Sequence, residues 1–161
     1  MSIVFSAGEL IDIAIGVERR GMTFYDIMAK STENEEAREI FEGLVNMERE
    51  HIRIFQDMLG ETGKPPAEAG TPEYTGYLQA LIDDAVFTDD MITSEMASQA
   101  DSDIKAVELG IAAEKDSILF YYEMRDIMPQ RLVTKVNAII AEEKSHLQQL
   151  SGIKKKLATS G

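Results

Sequence analysis

The 161-residue sequence contains no cysteine. That absence excludes disulfides, thiol nucleophiles, zinc ribbons, iron–sulfur clusters and rubredoxin-type iron centres together. It also suits a reducing, cytoplasmic setting. Basic residues are scarce, with 16 Lys and Arg against 29 Asp and Glu, a formal net charge of −13. Phosphate recognition needs clustered cations, so nucleic acid is not an expected partner, and neither is an anionic membrane surface. No run of 18 apolar residues occurs, so no membrane span is expected. Glu9 and Asp12 lie near the start with no early Lys or Arg, so no signal peptide is expected either. β-Branched runs bounded by turns are missing. What remains is 44% hydrophobic residues, enough at this length for one domain with its own core.

Apolar residues recur at spacings of three and four, which predicts an almost wholly helical chain. Ser6 with Glu9 forms a capping-box pattern that opens a first helix. Its stripe is Ile11, Ala14, Ile15, Glu18, Met22, Tyr25, Met28 and Ala29. The polar run Lys30–Asn34 reads as a turn, and Thr32 with Glu35 repeats the capping pattern before a second helix to about Gly60. The only breaker cluster follows: Gly60, Gly63, Pro65, Pro66, Gly70 and Pro72. Thr71-Pro72 then reads as N-cap and first position of a further helix carrying Tyr74, Tyr77, Leu78, Leu81, Ile82 and Ala85. Phe87–Ser102 is polar and reads as helix or loop. A third long helix is expected over Asp103–Met128. After Pro129 a fourth runs from about Arg131 to Leu157, ending on Lys154, Lys155 and Lys156, cations suited to a helix C-terminus. The chain is thus a single all-α domain: hairpin 1 over about 7–60, a partly helical crossover over 61–102, and hairpin 2 over about 103–158. An up-down bundle with a decorated loop is the competing architecture.

Both histidines carry a glutamate three residues earlier, in Glu48-Arg49-Glu50-His51 and Glu143-Lys144-Ser145-His146. Glu18 lies 30 residues before Glu48, and Glu114 lies 29 before Glu143. Superposed on these glutamates, Phe24-Tyr25 meets Phe120-Tyr121, Ile11 meets Val107, Ile15 meets Ile111 and Met28 meets Met124. The second and fourth helices align as well, Val45 with Ile140 and Ile52 with Leu147. One hairpin is duplicated at a period of about 95 residues. Residues at i and i+3 on a helix point about 60° apart and about 4.5 Å along the axis, so such a Glu and His can bind one ion or adjacent ions. Four carboxylates brought to one interior point would be neutralised by two divalent cations and would be costly without them. Two single glutamates plus two Glu-x-x-His motifs on four helices is the ligand set of di-iron carboxylate bundles.

On Glu18 with Phe24-Tyr25, Glu48-x-x-His51, Glu114 with Phe120-Tyr121, and Glu143-x-x-His146, the sequence resembles the rubrerythrin branch of the ferritin-like superfamily over nearly its whole length. The resemblance implies a ferritin-like four-helix bundle of two hairpins. It implies two iron ions, with manganese or adventitious zinc as other occupants. Glu48 and Glu143 match bridging carboxylates, Glu18 and His51 the terminal ligands of one ion, and Glu114 and His146 those of the other. Two departures stand out. The additional glutamate that rubrerythrins carry one turn before the third-helix ligand is Ile111 here, which makes the site more symmetric and nearer to bacterioferritin. The cysteine-bearing rubredoxin module is missing, so electrons would come from an external donor such as a rubredoxin. The implied activity is reduction of hydrogen peroxide, or reaction with dioxygen. Iron oxidation and storage, or a purely structural metal, are the alternatives. A cytoplasmic homodimer is expected.

Tyr25 and Tyr121 follow Glu18 and Glu114 by seven residues on the same faces, and could hydrogen-bond ligand carboxylates or simply pack in the core. Glu142 could orient His51 across the bundle, but its repeat counterpart is Met47, so the duplication gives that role no support. The nine methionines read as core filler. Gly16, Gly21 and Gly110 would permit close helix approach.

Overall fold

The structure is a computed structural model that describes residues 5–62 and 72–159, with the side chains of 72–75 outside the description. Among the described residues there are six helices and no strand: α1 Ala7–Ser31, α2 Glu35–Thr62, α3 Pro72–Asp83, α4 Asp90–Gln99, α5 Asp103–Ile127 and α6 Gln130–Thr159. No helix among them is long and apolar enough to cross a membrane.

Local chemistry accounts for most helix ends. The Ser6 hydroxyl accepts from the Glu9 N–H while the Glu9 carboxylate accepts from the Ser6 N–H, the full capping box. The second capping box does not form. Asn34 caps α2, accepting from the Ala37 N–H at 2.9 Å, and Thr32 is instead the C-cap of α1, its hydroxyl accepting from the Asn34 N–H. An Asx side chain two residues nearer the helix outcompetes the threonine for the orphan donors. The polar stretch after Phe87 contains α4, capped by Asp89 accepting from the Ile92 N–H at 2.8 Å. Helix α2 continues two residues past Gly60. Thr71 lies outside the described residues, and Pro72 is the first residue of α3.

Helices α1 and α2 form one hairpin and α5 and α6 the other; α1 packs on α5 and α2 on α6. The apolar core falls into two clusters. One joins Leu10, Ile11, Ala14 and Ile15 of α1 to Phe55 and Met58 of α2, Tyr121 and Met124 of α5, and Leu132, Val136 and Ile140 of α6. The other joins Phe24, Tyr25 and Met28 to Phe41, Leu44 and Val45, to Val107, and to Leu150 and Ile153. Helix α2 therefore runs from the second cluster to the first, and so does α5. The two are parallel, the crossover must travel the length of the bundle between them, and the up-down alternative is excluded. The same sequence order leaves Glu18, Glu48, Glu114 and Glu143 in a layer between the two clusters.

The crossover covers the bundle's own flank, with α3 against α5 and α4 against α1. Leu78 and Phe87 are buried, and the Phe87 ring lies 4.8 Å from that of Phe24. Two side chains hold the link between α3 and α4: Arg20 Nε donates to the Phe87 carbonyl at 3.1 Å, and Asp116 accepts from the Val86 N–H at 2.8 Å.

Candidate metal centre

The six residues singled out from the repeat meet in the layer between the two apolar clusters. Glu18, Glu48, His51, Glu114, Glu143 and His146 are all at most 4% exposed. Their ligand-capable atoms form two groups, each within 4.8 Å: Glu18, Glu48, His51 and Glu143 in one, and Glu48, Glu114, Glu143 and His146 in the other. Glu48 and Glu143 belong to both. The imidazoles lie nearly parallel, 5.6 Å apart at an interplanar angle of 22°. Each turns Nδ1 inward. That of His51 lies 2.8 Å from Glu143 and 3.5 Å from Glu18; that of His146 lies 3.5 Å from Glu48 and from Glu143, and 3.7 Å from Glu114.

The layer is costly as it stands. Among the described residues, the ion-pair partners of these carboxylates are the imidazoles. Glu18 Oε2, Glu114 Oε2, Glu143 Oε1 and both Nδ1 atoms are buried without a hydrogen-bond partner. Burial first, then the charges of Glu18 and Glu114, push the Glu143 carboxyl well above the usual carboxylate range. Burial also acts to raise Glu114, but the adjoining Glu143 and His146 and the hydrogen bond from Tyr25 outweigh it and hold that carboxyl low. Burial opposes charge on His51, yet Glu18 and Glu142 raise its pKa overall. Orphaned carboxylate oxygens and imidazole nitrogens converging on two points are the donor set that two hard or borderline divalent ions would satisfy.

The two tyrosines reach across the bundle. Tyr25 of hairpin 1 donates to Glu114 of hairpin 2 at 2.6 Å, and Tyr121 of hairpin 2 donates to Glu18 of hairpin 1 at 2.6 Å. Both also pack in the core, so the two readings of these residues hold together. Burial first, then the adjoining carboxylates, keep both phenols far above their ordinary pKa, so they remain donors. Gly110 makes room for this: a Cβ there would lie 3.2 Å from the Tyr25 ring and 3.3 Å from Leu150. Gly21 faces the Glu48 carboxylate, which a Cβ would meet at 3.8 Å, whereas the atom facing Gly16 belongs to Arg20.

One residue was undervalued by the repeat. Glu142 Oε2 lies 2.5 Å from His51 Nε2, across the bundle. The signal was its place directly before Glu143, one residue off the inward face of α6; the lack of a counterpart at Met47 obscured it. Ile111 is partly buried and packs against the second apolar cluster, so no fifth carboxylate enters from that turn.

A four-helix bundle with one long crossover and overlapping carboxylate–histidine groups at mid-height defines the ferritin-like class of metal-carboxylate proteins. Within that class the chain belongs to the rubrerythrin family, whose model matches residues 9–154. A crystal structure described as a ferritin-like diiron-carboxylate protein from Thermotoga maritima is similar to it, at 27% sequence identity and a TM-score of 0.76, over 94% of this chain and 96% of that one. No curated protein matches the chain.

Proposed function

We propose that the chain is a di-iron oxidoreductase that reduces hydrogen peroxide with electrons from an external donor. Glu18 and His51 would serve one ion, Glu114 and His146 the other, and Glu48 and Glu143 both. Iron held there supplies reversible one-electron oxidation beside a small oxidant. Three carboxylates and one imidazole per ion favour iron or manganese over copper.

The observation that carries the reading is a cavity of about 60 Å³ beneath the crossover, reaching Glu48, Glu114 and Tyr25. Its other walls include Ile82, Phe87 and Phe120, so it is largely apolar. The space suits a few water-sized molecules, which supports peroxide or dioxygen over a larger substrate. Tyr25, which lines the cavity, keeps its proton and donates it to Glu114. In this reading the reducing equivalents come from an external donor such as a rubredoxin. The family resemblance leads us to expect pairing of two copies, which light scattering tests: a monomer mass at high micromolar concentration overturns it.

The test of the activity is anaerobic Fe(II) loading followed by peroxide or dioxygen in separate experiments, with absorbance and donor-coupled turnover recorded. Rapid oxidation by peroxide and slow oxidation by dioxygen are expected. Uptake of iron beyond two ions per chain with dioxygen would favour iron handling instead. Bound iron whose spectrum neither oxidant changes would make the metal structural.

A further inference from the structure

We propose that the two halves of the centre are unequal and fill in order, the Glu18–His51 half taking its ion before the Glu114–His146 half, with Glu142 as the positioning residue responsible. The inference rests on the reading of the cluster as a two-metal site.

The ligand sets of the two halves are matched, although Nδ1 of His51 lies 2.8 Å from its nearest carboxylate and that of His146 3.5 Å. Each group contains three carboxylates and one imidazole, two of the carboxylates being common to both. Each single glutamate receives a tyrosine hydroxyl from the opposite hairpin at the same 2.6 Å. Each imidazole presents Nδ1 to the carboxylates. The match fails at the outer ring nitrogens. His51 Nε2 lies 2.5 Å from the half-exposed carboxylate of Glu142. His146 Nε2 is buried and has no hydrogen-bond partner among the described residues. The position equivalent to Glu142 in the repeat is Met47, whose thioether is at best a weak acceptor.

A carboxylate on the outer nitrogen does two things for a ligating histidine. It holds the proton on Nε2, leaving the Nδ1 lone pair free and the ring turned toward the metal, and it makes that lone pair a better donor. His146 has neither benefit. Its tautomer is not fixed by a partner, and its ring orientation depends on packing alone. Loss of such an outer partner weakens metal binding by about 10- to 100-fold, and that is the expected separation between the halves.

The chain has two histidines, so ring-proton NMR reads the halves separately. Chelator-treated protein is titrated with Zn(II), a diamagnetic probe, and His146→Gln assigns the signals. At one equivalent the His51 signals should reach their bound positions while those of His146 stay largely free, a bound ratio of about ten or more. Glu142→Leu, which leaves no acceptor for His51 Nε2–H, should erase this order with circular dichroism unchanged. Met47→Glu should raise the His146 half toward parity. Equal movement of both histidines in the unmodified protein overturns the proposal, as does an unaltered order in Glu142→Leu. If neither signal moves and no zinc is retained, the two-metal reading itself fails and the proposal with it.

Discussion

Replacing Tyr25 with Phe tests the account of the buried layer most directly. The substitution removes one oxygen and keeps the ring, which stacks on Phe41 with centroids 6.2 Å apart and meets Phe24 edge-on at 5.6 Å. The packing contribution is therefore retained. What is lost is the 2.6 Å hydrogen bond to Glu114 Oε1. The other oxygen of Glu114 has no hydrogen-bond partner among the described residues, and the residue is 2% exposed, so water does not replace the phenol. A hydrogen bond to a charged acceptor contributes about 1.5–3 kcal/mol. For a domain of this length 1 kcal/mol moves the melting temperature by about 2–4 °C, so Tyr25→Phe should lower that of chelator-treated protein by about 3–12 °C. Repeating the substitution in a Glu114→Gln background isolates the charge-assisted part, and the cost there should be smaller by about half. Tyr121→Phe should behave alike through Glu18, since its bond is equally short. A melting temperature within about 1 °C of the unmodified protein, or an equal cost in both backgrounds, would refute the reasoning.

Three further outcomes follow from the same geometry. Metal-loaded protein should be more stable than chelator-treated protein, by about 2.7 kcal/mol when free metal is a hundredfold above its dissociation constant, and should melt at a higher temperature; calorimetry with and without chelator checks this. The pH dependence of the metal-free protein should run opposite to ordinary acid denaturation. Glu143 and His51 have raised pKa values when folded, so the folded state holds more protons than the unfolded one above the ordinary carboxylate value of 4.5, and stability falls as pH rises through the folded values. Glu114, held low, acts the other way and removes stability only as pH falls through its folded value. The melting temperature of metal-free protein should therefore peak in mild acid and decline toward neutrality, and a flat profile between about pH 5 and 8 would count against the raised values. Gly110→Ala gains about 1 kcal/mol of helix propensity but crowds Tyr25 and Leu150, which costs about 1–3 kcal/mol, so a net loss is expected by thermal melting. Gly43→Ala, where nothing lies within 4 Å of the added carbon, should stabilise instead.

The bundle was legible because duplication wrote each helix twice. Glu18 alone is an unremarkable helical glutamate; Glu18 with Glu114, each followed seven residues later by a tyrosine, is a pattern. The same logic hid Glu142. A repeat highlights what the halves share, and the brace on His51 is something they do not share. Whether the tyrosines bond or merely pack was undecidable from spacing, because the hydroxyl distance depends on the approach of α1 to α5, which Gly110 sets. Helix α4 was obscured for another reason. It buries only Thr93 and Ala97 against the bundle, too few residues to leave a periodic stripe in a polar segment. At the start of α2, two capping residues two positions apart competed, and pattern alone could not choose between Thr32 and Asn34.

Each four-residue group draws three members from one hairpin and one from the other, and each tyrosine reaches into the opposite half. Two separate copies of one such hairpin could in principle meet the same requirements about a two-fold axis, but their association would depend on concentration. Joining the halves turns that encounter into an intramolecular one, at an effective concentration in the millimolar range for a flexible tether. The join has a second consequence. Two identical copies would have to carry a carboxylate beside both histidines or beside neither. A single chain can hold Glu142 on one side and Met47 on the other, so covalent duplication makes an asymmetric pair of metal positions available to an otherwise two-fold scaffold.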